Sequence, residues 1–179
     1  MNLSKKLLHA TKYASTNGIR PEINGVLIQH NKVVATDSYK LLELTTDAIT
    51  SKLNKPIILE LKSLKHFLKN HRKFETLTVI SLSNNGMAQI QIDDGIHFHY
   101  IKVIDGTYPD YTQIMPNEKD LEYTDYYSKN SYNPKYLAVL MSVYDNDIAV
   151  DINHTHNMLY AINRNQTDYK AITLLMRMR

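Results

Sequence analysis

Apolar residues recur along the chain with two periods, helical and strand-like, that follow one another in a fixed order. From about Leu3 to Ala14, the residues Leu3, Leu7, Ala10 and Ala14 share one face at helical spacing, and Lys5, His9 and Lys12 point the opposite way. Asn17 and Gly18 end that helix. Gly25 to Gln29 and Lys32 to Thr36 read as strands joined at His30 and Asn31, with a third strand near Tyr39 to Thr45. A short apolar strand, Pro56 to Leu59, then leads into a helix from about Leu61 to Asn70. Leu61, Leu64, Phe67 and Leu68 lie on its apolar face, while Lys62, Lys65, His66, Lys69 and Lys73 gather on the other. Three strands follow in TLTVISLS, MAQIQI and IHFHYIKV, with tight-turn signals at Asn85-Gly86 and Asp94-Gly95.

The order repeats once more. A strand is predicted around Glu122 to Tyr127, after the polar, acidic linker MPNEKDLE. Asn133 is placed to cap a helix with Pro134 at its first position. Tyr136, Leu137, Leu140, Met141 and Tyr144 would form its buried stripe. Strands near Asp147 to Ile152, Asn157 to Ile162 and Asp168 to Leu175 complete the pattern. The chain thus reads as β-α-β-β-β three times at roughly 60-residue spacing, with a clipped first strand in the first copy. Antiparallel meanders carrying one helix each imply an α+β fold with helices on one sheet face.

Composition narrows the function classes. The 179 residues are 43% apolar and 22% charged, as in a soluble globular protein, and no apolar run is long enough to span a bilayer. The first residues lack the apolar core and cleavage site of a secretory signal. Absence of cysteine excludes a disulfide framework and Cys-based zinc sites, and it fits a reducing cytoplasm. A net charge of +3 says little, but its distribution says more. The stretch Lys62 to Lys73 holds five Lys or Arg and no acid, and Met1 to Ile19 holds three Lys and no acid. That segregation points to one basic surface on an otherwise acidic body.

Enzyme signals are missing. The chain contains no G-x-S-x-G, Walker loop or G-x-G-x-x-G. His97-Phe98-His99 and His154-Thr155-His156 each pair two imidazoles without a third ligand at metal spacing. Asp93-Asp94 before Gly95 reads as a turn, and the 13 tyrosines are too scattered to form a base-stacking platform. No cofactor is called for.

Three segments resemble the bacterial DNA polymerase III beta subunit, the DNA sliding clamp. Arg20-Pro21-Glu22-Ile23-Asn24-Gly25-Val26, followed by Val34-Ala35-Thr36-Asp37-Ser38-Tyr39-Lys40-Leu41, resembles the family's R-P-x-L-N-G-V hairpin and A-T-D-x-x-R-L run. Asp105-Gly106-Thr107-Tyr108-Pro109-Asp110-Tyr111, ending at Ile114-Met115-Pro116, resembles D-G-x-[FY]-P-D-Y. Ile172-Thr173-Leu174-Leu175-Met176-Arg177 is similar to the terminal V-V-M-P-M-R. The resemblance implies that residues 1–116 correspond to the family's middle domain, as two half-modules. Residues 117–179 correspond to the second half of its C-terminal domain. A family protomer has six such half-modules against three here, and its ring closes with twelve. A ring of that size therefore needs four copies.

The implied function is non-enzymatic. A processivity factor surrounds duplex DNA without sequence specificity and holds a polymerase and other clamp-binding proteins through short peptides, with a clamp loader as a further partner. Its inner surface must attract phosphates without gripping them. Lys5, His9, Lys12, Lys62, Lys65, His66, Lys69, Lys73 and Lys135 on the helices suit this, and Asn17 and Arg20 fall in the family's DNA-contacting loop. The peptide pocket carries over to Ile23, Thr36, Ser38, Tyr39, Lys40, Leu41, Pro109, Gln113, Ile114, Ile172, Thr173, Leu174, Leu175 and Met176. Departures from the family pattern lie at its rim: Ser38-Tyr39-Lys40 replaces a small-basic-basic run, Leu174-Leu175-Met176 lacks a proline, and Gln113 stands for an arginine. The rival reading is a clamp mimic or inhibitor, as a phage or mobile element would encode, that forms no ring and competes for clamp partners.

Overall fold

The computed structural model describes residues 2–93, 95–115, 133–142, 150–155, 158–163 and 166–174. Helix α1 spans Leu3–Ala10, capped by the Asn2 side chain, which accepts from the Lys5 amide. Strands β1 (Gly25–Gln29), β2 (Lys32–Thr36), β3 (Lys40–Thr45) and β4 (Ile49–Ser51) follow. The second unit holds β5 (Ile57–Glu60), α2 (Leu61–Asn70), β6 (Leu77–Leu82), β7 (Met87–Ile92) and β8 (Phe98–Ile104). The third holds α3 (Pro134–Met141), β9 (Val150–Thr155), β10 (Met158–Asn163) and β11 (Gln166–Leu174). Asn133 caps α3 by accepting from the Lys135 amide at 2.9 Å, with Pro134 in the first turn.

These eleven strands belong to one sheet, in the order β4-β6-β7-β8-β5-β1-β2-β3-β11-β10-β9. Neighbouring strands run antiparallel throughout, except β4 beside β6. The tight turns follow their residues. Asn31 (φ 54°) turns β1 into β2, and Gly86 (φ 74°) turns β6 into β7. Gly25 has a different role: a Cβ there would come within 2.5 Å of Ile58 Cγ2 and 2.7 Å of the Leu59 carbonyl, so β1 and β5 approach only because it is absent.

Strand alternation sorts the core into two layers. Val26, Ile28, Val33, Ala35, Leu42 and Leu44 face the helices and pack with Leu3, Leu7, Leu61, Leu64, Phe67, Leu68 and Leu140. Leu27, Val34, Leu41 and Ile58 face the other way and pack under Ile23, Tyr108 and Tyr111, with Tyr160 beside them. The central strands are therefore buried on both faces: the helices cover one side and the segment around residues 105–115 covers the other. The α+β fold with helices on one face is as anticipated.

The structure corrects four sequence expectations. Helix α1 ends at Ala10, because Lys12 and Tyr13 bond the carbonyls of His9 and Ala10 three residues back and close a tighter turn. His9 is 5% exposed and does not join the basic face, since α1 packs against both β2 and α2 and is buried over more than one stripe. Met141 is 47% exposed and lies outside the buried stripe of α3. Strand β4 was not anticipated, because three residues with one apolar side chain are too short to show a period. The strand expected at Glu122 to Tyr127, the acidic linker and Tyr144 lie outside the described residues.

Candidate DNA and peptide interfaces

The basic side chains converge where α1 and α2 lie together over the sheet. Along α2 the exposed basic positions are Lys62, Lys65, His66 and Lys69, with Arg72 and Lys73 just beyond its end. Lys5 is the exposed lysine of α1, and Lys12 follows in the turn after it. A groove of about 510 Å³ runs between the two helices, floored by Leu8 and Leu68 and edged by Lys5, Lys65, Lys69, Arg72 and Lys73. Among the described residues, Lys62, Lys65, Lys69 and Lys73 make no ion pair, so their charge is available to an outside anion. Lys12 is partly committed: its ammonium donates to Ser142 Oγ at 3.1 Å, at the end of α3. Asn17 and Arg20 are exposed in the loop after α1, and Lys135 is exposed on α3, apart from the groove.

Strand register brings together two of the segments expected to form the peptide pocket. Leu41 lies opposite Ile172 and Lys40 opposite Thr173 in the β3–β11 pairing, so the two distant segments become neighbours. Leu174, in the same strand, pairs with Met158; Leu175 and Met176 lie outside the described residues. Leu41 is 1% exposed and belongs to the core, as does Ile23. Ile114 is 45% exposed, and Tyr39, Pro109 and Gln113 are also open to solvent. The side-chain amide of Gln113 donates to Asp110 Oδ2 at 2.9 Å, and Thr112 donates to Oδ1 of the same carboxylate through its amide and hydroxyl. The Thr112 hydroxyl, followed by Gln113 and the Thr112 amide, holds the Asp110 carboxyl below its ordinary range.

The β2–β3 connection is built for a fixed shape. Ser38 adopts φ 78°, and Asp37 Oδ1 accepts from the Tyr39 and Lys40 amides at 3.0 Å each. Thr36 donates its hydroxyl to the Lys40 carbonyl at 2.8 Å and accepts from the Ser38 amide. Lys40 is 8% exposed, paired with the Asp37 carboxylate and flanked by the Tyr13 and Tyr136 rings at 5.7 and 5.9 Å. Tyr39 stacks on Tyr136 of α3 with ring centroids 5.9 Å apart. Burial, with the Asp37 and Tyr39 charges adding, raises the Tyr136 phenol above its ordinary pKa. Sequence reasoning placed Tyr136 only in a buried stripe. Its apolar spacing hid a contact that depends on how the third unit docks on the first.

An open cleft of about 620 Å³ is lined by Lys12, Asn17, Arg20 and Lys65 together with Ile23, Ser38, Tyr39, Lys40 and Tyr136, residues drawn from both expected sites. A second hollow of about 620 Å³ lies against Leu27, Ile58, Tyr108 and Pro109. His99 faces inward against Phe67 and His71, 4.2 Å from the His71 ring centre. Among the described residues no group of three potential ligands could hold a metal ion.

The arrangement is that of the DNA clamps: an antiparallel sheet backing a layer of helices, with units repeated along the chain. No protein-family model matches the chain. The sequence is 31% identical over 118 residues to the beta sliding clamp of Helicobacter pylori strain J99, covering 58% of this chain and 28% of that one. It is 30% identical over 122 residues to the beta sliding clamp of Lactococcus lactis, covering 65% and 31%. The fold superposes on the DNA polymerase sliding clamp of Pseudomonas aeruginosa with TM-score 0.70 and 16% identity, over 98% of this chain and 64% of that one. With DNA polymerase III subunit beta of Borrelia burgdorferi the TM-score is 0.71 at 14% identity, over 98% of this chain and 62% of that one. The chain is thus similar in sequence to bacterial beta sliding clamps over about 120 residues and shares their fold. It covers less than a third of the length of these curated relatives.

Proposed function

We propose that this chain is the subunit of a homotetrameric ring that surrounds duplex DNA, slides on it without reading sequence, and tethers a polymerase through a short peptide. The observation that carries the proposal is the groove between α1 and α2, edged by five cations, on the helix side of a continuous sheet. Flexible ammonium groups on a curved wall attract phosphates without fixing a register, which suits sliding. No catalytic step and no cofactor belongs to this function. The cytoplasm is the compartment in which such a protein would meet its DNA, and among the described residues no helix is long and apolar enough to cross a membrane.

The peptide would lie against the exposed Tyr39, Pro109 and Ile114, with β11, the sheet neighbour of β3, contributing a further wall. A clamp loader would be a further partner. The test is topological. The purified protein, loaded on a nicked circular duplex, is expected to stay bound through gel filtration and to leave once the circle is cut. Equal loss from circular and linear DNA would exclude encirclement, and a mimic that only competes for peptides would show no retention on either.

A further inference from the structure

Strand β3 carries a charge where its pattern calls for an apolar residue. It reads Lys40-Leu41-Leu42-Glu43-Leu44-Thr45, and Glu43 shares with Leu41 the face of the sheet that points away from the helices. Glu43 is 7% exposed. A carboxylate held that far from water is costly unless its lone pairs are occupied. Two groups occupy them. Lys32 of β2 brings its ammonium to 3.2 Å from Oε2, from the strand position opposite Thr45. The Tyr111 phenol donates a second hydrogen bond, and burial followed by that bond raises the Tyr111 pKa.

The two partners come from different places. Lys32 is a sheet neighbour whose side chain is 38% exposed, so it can turn to water if its partner is lost. Tyr111 belongs to the closing segment 105–115, which crosses the face of the sheet without joining it. Among the described residues that segment makes no backbone hydrogen bond to a strand. Side chains therefore seat it, and Tyr108 and Tyr111 are its two buried ones. Tyr111 opens the short 3-10 turn Tyr111–Ile114, and the same turn presents Gln113 and Ile114 to solvent.

We infer that Glu43 is a positioning residue of the peptide slot. By holding the Tyr111 hydroxyl it fixes how the 111–114 turn sits over β3, and with it the wall that Pro109 and Ile114 offer a peptide. The inference rests on the peptide reading proposed above. A leucine at position 43 would fill the same layer without burying a charge, so packing alone gives no reason for a carboxylate there. A hydrogen bond is directional where packing is not, and it holds the phenol in one place. Glu43 acts through Tyr111 and need not touch the peptide.

Calorimetric titration with a synthetic peptide carrying adjacent Leu and Phe anchors, beside a denaturant titration of each variant, separates positioning from bulk stability. Tyr111→Phe keeps the ring and removes the hydroxyl. Glu43→Leu combined with Tyr111→Phe removes both partners and leaves no buried hydroxyl unpaired. Both variants are expected to bind the peptide about tenfold more weakly, the contribution of one hydrogen bond. The double variant is expected to be at least as stable as the wild type. Glu43→Gln, which still accepts from Tyr111, is expected to keep nearly the wild-type affinity. Amide exchange over residues 105–115 should quicken in the first two variants and not in Glu43→Gln. Unchanged affinity in Tyr111→Phe and in the double variant overturns the positioning role and leaves the slot standing. Affinity that follows stability through every variant, Glu43→Gln included, makes Glu43 a purely structural residue and also overturns the role. A wild type that binds no peptide overturns the slot and the role of Glu43 together.

Discussion

Leu41 shows how a residue's role depends on its neighbours. The motif that contains it points to the peptide pocket, yet it is 1% exposed beneath Tyr108 and Tyr111, in the back layer of the core. Leu41→Ala is therefore expected to cost about 2–5 kcal/mol of folding stability, measured by denaturant titration. Ile114, at 45% exposure, is the cleaner probe of the slot. Ile114→Ala should leave the melting temperature nearly unchanged and weaken a polymerase-tail peptide by about 1–2 kcal/mol, measured calorimetrically. His99 carries a second prediction. Burial, with His71 and then His97 adding to it, lowers its pKa from the ordinary 6.5. The unfolded imidazole then takes up its proton first as pH falls, so the stability linked to neutral His99 is present above about 6.5 and is lost below it. The thermal midpoint should drop between pH 7.5 and 5.5, and drop less in His99→Gln.

At the scale of the element, helical spacing and cap chemistry were readable where burial is one-sided. α2 spans Leu61–Asn70, as its stripe predicts, and α3 begins at Pro134 behind Asn133, as the cap predicts. The expectation for α1 failed at His9 because a helix packed against both β2 and α2 buries a residue that a single-face pattern assigns to solvent. The exposed face of α2 is the element on which the DNA reading depends most. Reversing two charges there, in Lys65→Glu with Lys69→Glu, is expected to shorten retention on circular DNA more than it weakens peptide binding. It should also flatten the dependence of log affinity on log salt by about one unit for each phosphate no longer neutralised. An unchanged salt slope would place the phosphate-binding groups elsewhere.

At the scale of the molecule, one sheet carries both candidate interfaces, and Arg20, Lys65, Tyr39 and Tyr136, drawn from both, line one cleft. The ring rests on the retention experiment on circular DNA. By itself the sequence determined the repeat of helix and strands, the turns at Asn31 and Gly86, and the segregation of lysines from acids. Each of these is local: it depends on residues a few positions apart and on a period of 3.6 or 2. The tertiary structure alone decided what is written in contacts between distant segments. It set Leu41 beside Ile172, buried His9 and Lys40, stacked Tyr39 on Tyr136, and packed α3 on β11. Burial is a property of the whole packed assembly, so no window of sequence around these residues contains it.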